Sequence, residues 1–373
     1  MAELPPPDLD GDGRDRVDEH LDEDDLRRRA RAVLEAHWRP EGYTVPHAGR
    51  YPFQWLWDSC FHAVAWARLG DERALEELAS VFRWQTPSGF VPHVGYQADP
   101  QVLAEFWGRT HASVITQPPM YGHAVAELTR LGFDVPEELR ERAARGIGWL
   151  LRHRRRGDRV VICHPWESGC DDSPQWDRWC PGGWSPERWY DCKGELVRSL
   201  VLDDEGAAVA NPRFEDPSLG FNALVAFNAA ELGLHPELDL EVPARPDTLD
   251  ELLVVLVGLG VPELFEVALD PAVFGGRFGP AFVRRDHPAF DPGAYWRGSA
   301  WPQLIYLLWV AARRWAGPAD ELAALARRGA LASGLAEHWH PDTGAPLGAA
   351  PQSWTALCLL LGGGGTPPSS SQR

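Results

Sequence analysis

Apolar residues recur at helical spacing in segment after segment of this chain, and hardly a strand-like run interrupts them. From Leu26 to His37 the residues Leu26, Ala30, Val33 and Leu34 fall three or four apart, which lines them up on one face of a helix. The same spacing predicts helices over Asp58–Leu69, Glu72–Trp84, Ser113–Leu131, Pro136–Leu151 and Leu196–Leu202. It continues over Gly220–Leu234, Thr248–Leu256, Trp301–Trp315, Ala319–Leu331 and Ser353–Leu361. Glycine and proline punctuate nearly every gap. Strand-like runs such as Arg159–Cys163 are short and isolated, so no sheet can be assembled from them. An all-α chain with roughly ten to twelve helices forms either a superhelical solenoid or a closed toroid. No unit of the roughly 33–47-residue helical-repeat class recurs at a fixed period, so the expected architecture is the α/α toroid.

Composition narrows the function classes. The 373 residues carry 36 basic and 54 acidic side chains, a net charge of −18, which argues against nucleic acid or an anionic membrane as a partner. With 44% hydrophobic and 24% charged residues the chain is ordinary for a soluble globular protein. Its 18 tryptophans exceed what a core of this size needs, and surplus indole rings commonly form flat platforms for sugars. Lys193 is the only lysine, which reads as coding bias toward arginine. The six cysteines, Cys60, Cys163, Cys170, Cys180, Cys192 and Cys358, form no CxxC pair, so neither a zinc site nor a disulfide framework is expected. The start of the chain lacks the pattern of a signal peptide, and the most apolar stretch, Leu253–Leu259, is far too short to span a bilayer. A cytoplasmic protein is expected, of unspecified oligomeric state.

Residues 1–24 read as an acidic tail, 25–361 as the helical domain and 362–373 as a flexible C-terminal tail. Within the first tail, Asp8, Asp10, Asp12, Gly13 and Glu19 fit the calcium-loop spacing. Pro5-Pro6-Pro7 forbids the entering helix, Asp15 stands where an apolar residue belongs, and there is no second copy, so a solvated tail is the expectation.

Five constellations carry chemistry, and all lie in gaps between helices, where a toroid gathers its loops around a central funnel. Tyr51-Pro-Phe-Gln-Trp-Leu-Trp57-Asp58 places a carboxylate after aromatics, suited to bridging sugar hydroxyls or simply to starting a helix. Gln117-Pro-Pro-Met-Tyr-Gly-His could contact a ligand or merely cap the helix that follows. Trp166-Glu-Ser-Gly-Cys-Asp171-Asp172-Ser-Pro-Gln-Trp176-Asp177 holds four carboxylates among tryptophans. That arrangement raises the pKa of an acid such as Asp171 through neighbours such as Glu167, Asp172 and Trp176. Its bland reading is an acidic loop in solvent. Tyr295-Trp296-Arg297-Gly-Ser-Ala-Trp301 reads as a sugar platform or a pair of core aromatics. Glu337-His338-Trp339-His340-Pro-Asp-Thr-Gly, followed by Gln352-Ser-Trp-Thr, offers a general base or a helix end before a turn.

Taken in this order, the motifs resemble the mannosylglycerate/glucosylglycerate hydrolase branch of glycoside hydrolase family 63, in the clan that also holds family 37 trehalases. The resemblance covers roughly residues 40 to 360. It implies a single (α/α)6 barrel and hydrolysis with inversion, with Asp171 as general acid, Glu337 as general base, and no metal or cofactor. It further implies that Tyr51, Trp57, Asp58, Gln117, Tyr295, Trp296 and Trp301 line the sugar subsite, with Gln352 and Tyr96 near the glycerate. The stretch from Glu205 to Tyr295 is short for such a barrel, which predicts that a pair of helices is trimmed there, along with residues that grip the glycerate. A glycerate carboxylate calls for a local arginine; Arg297, Arg188 and Arg213 are the candidates. The expected substrate is glucosylglycerate or mannosylglycerate. The rivals are an α-glucosidase or trehalase-like hydrolase, an inactive sugar-binding homologue, and an epimerase working through His338 and His340.

Overall fold

The computed structural model describes residues 22–362. Among the described residues, eleven α-helices form in chain order. They are α1 (Glu23–His37), α2 (Leu56–Arg68), α3 (Arg73–Val81), α4 (Ala104–Trp107), α5 (Tyr121–Arg130), α6 (Glu137–His153), α7 (Pro186–Arg198), α8 (Leu219–Glu231), α9 (Glu263–Leu269), α10 (Pro302–Arg314) and α11 (Ala319–Ala332). Among the 3-10 helices, Leu249–Val257 and Ser353–Leu360 complete the barrel.

Burial sorts these elements into two layers. In α2 every residue from Leu56 to Ala67 is buried, and α8, α10 and the two 3-10 helices are similarly apolar all round. Such segments have no polar face to offer solvent and must pack on all sides. They form a closed inner ring in which α2 packs on α5, α5 on α8, α8 on Leu249–Val257, that segment on α10, α10 on Ser353–Leu360, and that segment back on α2. The outer helices bury one stripe each: Leu26, Ala30, Leu34 and His37 in α1, and Leu322, Ala323, Ala326, Gly329 and Ala330 in α11. Five of them, α1, α3, α6, α9 and α11, back the ring, giving an (α/α)6 toroid that lacks one outer helix. One large apolar core lies between the layers.

The trimmed middle is real but smaller than expected. Residues 232–248, between α8 and Leu249–Val257, contain no helix, so one outer helix is missing, and the next, α9, has only 7 residues. The inner ring loses nothing and therefore still closes.

Two other expectations fail for local reasons. The helix expected over Ser113–Leu131 begins only at Tyr121, because Pro118 and Pro119 hold the preceding backbone extended. In place of Leu196–Leu202 the helix is Pro186–Arg198, capped by Ser185 with Pro186 in its first turn. Val201–Leu202 instead pairs with Ala208–Ala210, one of five two-stranded ribbons that are the only sheets among the described residues. The acidic tail gives way to α1 already at Glu23, where the Asp22 side chain accepts from the Asp25 N–H at 2.8 Å. The calcium-loop pattern Asp8–Glu19 lies outside the described residues.

Candidate active site

The N-terminal ends of the inner-ring elements gather at one end of the toroid, and the long loops that lead into them wall a cavity of about 430 Å³, its open mouth included. Besides Pro46, five stretches of the chain line it. Tyr51 and Trp55 precede α2, while Trp57 and Asp58 sit in its first turn; Gln117 precedes α5. Gly169 and Asp171 come from the α6–α7 loop, and Tyr295 and Trp296 from the approach to α10. Glu337 and Gln352 precede the last ring element, and Trp354 sits in its first turn.

Glu337 is held from three sides. Tyr51 Oη donates to Oε1 at 3.1 Å, Tyr295 Oη to the same oxygen at 3.4 Å, and the Ala349 N–H to Oε2 at 2.9 Å. Backbone pairing also locks its main chain, with the Glu337 N–H donating to Ala349 O at 2.7 Å. Burial leaves the Glu337 carboxyl above its ordinary value, although these donors and the charge of Arg50 all favour the ionised form. Gly348 comes so close to Oε2 that a Cβ there would collide with it, and its φ of +74° suits glycine alone.

Asp171 is the contrasting carboxyl. No other described residue donates a hydrogen bond to its side chain. Burial pushes it up to about 7; Lys193 opposes that shift, while the negative charges of Asp172 and Glu337 add to it. Two groups named in the sequence are not the cause. Glu167 points away into a fully buried bidentate pair with Arg154, at 2.8 and 2.6 Å. Trp176 packs in a separate cluster, its indole N–H donating to Cys170 O at 2.8 Å. A third carboxyl, Asp58, is also raised well above its usual range by burial, then by the charges of Glu337 and Asp171.

Aromatic rings form the wall beside Glu337. Trp296 stacks on Trp301 at 3.6 Å, and Trp301 stacks in turn on His338 at 4.3 Å. Trp296 adopts φ +56°, a left-handed conformation rare for a bulky residue and of the kind found at functional sites. Trp301 is therefore the layer behind the lining and not part of it. His338 stacks on Trp301 outside the cavity lining, and burial takes it down to about 3, which makes it a weak base for epimerase chemistry.

Gln117 and Gln352 both reach the cavity. Gln117 Oε1 accepts from the Trp57 N–H at 3.4 Å, and the buried Gln352 Oε1 has no partner. Tyr96 does not reach it. Its hydroxyl accepts from Trp107 Nε1 at 2.7 Å within a satellite apolar cluster.

None of the three candidate arginines faces the cavity. Arg297 forks onto Asp177 at 2.9 and 2.5 Å and lies 3.7 Å over the Trp184 ring. Arg188 donates to the carbonyls of Gly182 and Gly183, and Arg213 to Glu195 at 3.1 Å. The cation the sequence reasoning passed over is Arg50, exposed beside the mouth with its guanidinium 5.6 Å over the Tyr51 ring and no ion pair among the described residues. Its position immediately before the Tyr51 motif was the available signal. Trp55 and Trp354 stood inside the quoted motifs and were passed over as well.

The sequence pattern of the mannosylglycerate hydrolase MGH1-like glycoside hydrolase domain matches residues 51–235 and 237–355. A mannosylglycerate hydrolase of Thermus thermophilus is 29% identical, over 85% of this chain and 96% of its own. The glucosylglycerate hydrolase of Mycolicibacterium hassiacum is 29% identical, over 83% and 91%. The crystal structure of a family 63 mannosylglycerate hydrolase from another strain of Thermus thermophilus, in complex with glucose, superposes with a TM-score of 0.73 at 26% identity, covering 90% of this chain and 99% of that one. Since the matched stretches contain every residue that lines the cavity except Pro46, the chain belongs to the MGH1-like glycoside hydrolase family and is a glycoside hydrolase.

Proposed function

We propose that the enzyme hydrolyses a small α-glycoside of glycerate, glucosylglycerate or mannosylglycerate, with inversion at the anomeric carbon. Asp171 protonates the departing glycosidic oxygen, and Glu337 removes a proton from the water that attacks the opposite face. The observation that carries this reading is the split between two carboxyls of one cavity. Asp171 is pushed up to about 7 and lacks donors, so it holds a proton near neutrality. Glu337 faces three donors, which select an acceptor, hence an ionised base. Tyr51 and Tyr295 orient that base, and Asp58 accepts hydrogen bonds from sugar hydroxyls. Trp57 and Trp296 supply apolar surface to the ring, while Gln117 and Gln352 offer amide groups to its polar edge. All six cysteines are unpaired thiols, which supports a reducing, cytoplasmic setting.

One observation favours a second reading, hydrolysis of a neutral α-glucoside. No cation lines the cavity, while three carboxylates do. An anionic aglycone therefore depends on Arg50 at the mouth. Offering glucosylglycerate, mannosylglycerate, glucosylglycerol and trehalose in parallel separates the readings. Release of sugar from a glycerate substrate at least tenfold faster than from glucosylglycerol supports the first. Equal or faster cleavage of the neutral glycosides replaces it with the second. Asp171→Asn should lower turnover by roughly 100-fold or more.

A further inference from the structure

The helix α7 takes hold of two adjacent residues of the catalytic loop from one face. Trp189 and Lys193 stand four apart on it and therefore project side by side. The Trp189 indole N–H donates to Asp171 O at 3.0 Å, and Lys193 Nζ lies 2.5 Å from Asp172 Oδ1. The ammonium is buried, with the Trp166 and Trp189 ring centroids 5.9 and 6.0 Å away. Lys193 is the one lysine among 36 basic residues, so a compact, single-point cation occupies this slot where the rest of the chain uses guanidinium groups.

We propose that the Lys193–Asp172 ion pair is the positioning element that sets the upper pH limit of turnover, by balancing one positive and one negative charge beside Asp171. The proposal rests on Asp171 being the general acid. A buried ammonium alone would strip the proton from Asp171 too early, and a buried carboxylate alone would hold it too tightly to give up. Together they act on Asp171 in opposite directions while fixing the loop.

The other charged and titratable groups around Asp171 come from each wall. Glu337 adds negative charge, while the Asp58 carboxyl, the Tyr51 and Tyr295 hydroxyls and the Cys170 thiol are all raised by burial, which favours their neutral forms. None of them is a cation, so Lys193 is the group that offsets Asp172.

The test is kcat/KM against pH for wild type, Lys193→Gln, Asp172→Asn and the double variant. Each is measured on the best glycoside of the panel and on the matching α-glycosyl fluoride, whose leaving group needs no proton. Removing the cation should move the alkaline limb up by about one pH unit, and removing the anion should move it down by about one, the low end for a neighbouring charge. The double variant should return close to wild type, which a loss of packing would not do. An alkaline limb that persists on the fluoride overturns the assignment of Asp171 as the acid. A limb that vanishes on the fluoride but stays put in both single variants, or moves the same way in both, overturns the ion-pair proposal alone.

Discussion

Replacing Glu167 with glutamine should destabilise the fold more than any change inside the cavity, because of what the carboxylate holds. Its two oxygens take four donors: Arg154 Nη1 at 2.8 Å and Nη2 at 2.6 Å, the Thr116 N–H at 3.1 Å and the Cys163 N–H at 2.6 Å. Both side chains of the pair are wholly buried, so no solvent screens the charges. An amide of the same shape keeps one acceptor oxygen but turns its NH2 toward donors on the other side, and Arg154 is left without a counter-charge. Removing one partner of a buried pair costs about 3–5 kcal/mol. Urea unfolding followed by tryptophan fluorescence reads this as a lower midpoint at unchanged slope. Arg154→Met combined with Glu167→Leu removes both charges and should lose less than Glu167→Gln alone. A Glu167→Gln protein within about 1 kcal/mol of wild type, the range of an exposed pair, would refute the reasoning. Because Glu167 pins the loop that ends in Asp171, the surviving folded fraction should also turn over more slowly.

Three further outcomes follow from the site. The profile of kcat/KM against pH should be a bell. Its alkaline limb falls near 7 as Asp171 loses its proton, and its acid limb lies above the usual glutamate value of 4.5, because Glu337 must be ionised and burial raises it. Tyr51→Phe removes a donor from the ionised Glu337, so the acid limb should move to higher pH and kcat/KM should drop by roughly 10-fold or more; an unmoved limb measured by the same titration contradicts the contact. Gly169→Ala would set a Cβ 2.5 Å from the Trp57 ring at φ +74°, so it should cost at least ~1 kcal/mol in urea unfolding and raise KM; wild-type values of both would mean that Trp57 moves freely.

What the sequence revealed, and what it hid, divides along physical lines. Helical periodicity located the ring because α2, α8 and α10 are mostly apolar and α1 and α11 carry a clean stripe. It misplaced α7, whose start is set by the Ser185 cap and by Pro186 in the first turn, signals that apolar periodicity does not register. The lining residues were legible because rings and carboxylates cluster in the loops before inner-ring elements. Orientation was not legible. Glu167 and Asp171 stand four residues apart in one motif, yet one turns inward to Arg154 and the other to the cavity. Arg297 follows Trp296 directly, but Asp177, distant in sequence, claims it. Tyr96 and Trp301 carry the right side chains for a sugar site and sit behind its wall. Pairings of that kind depend on tertiary contacts that no local spacing encodes.

The central claim, that Asp171 and Glu337 act as acid and base across one cavity, is tested most directly by the anomer released first. A retaining pair stands roughly 5–5.5 Å apart and forms a glycosyl-enzyme, whereas an inverting pair leaves about 6.5–9.5 Å for water. Proton NMR of an α-glycoside digest in its opening minutes, before mutarotation, should show the β-sugar growing in first. Initial release of the α-anomer would contradict the account, since Glu337 would then have to be a nucleophile.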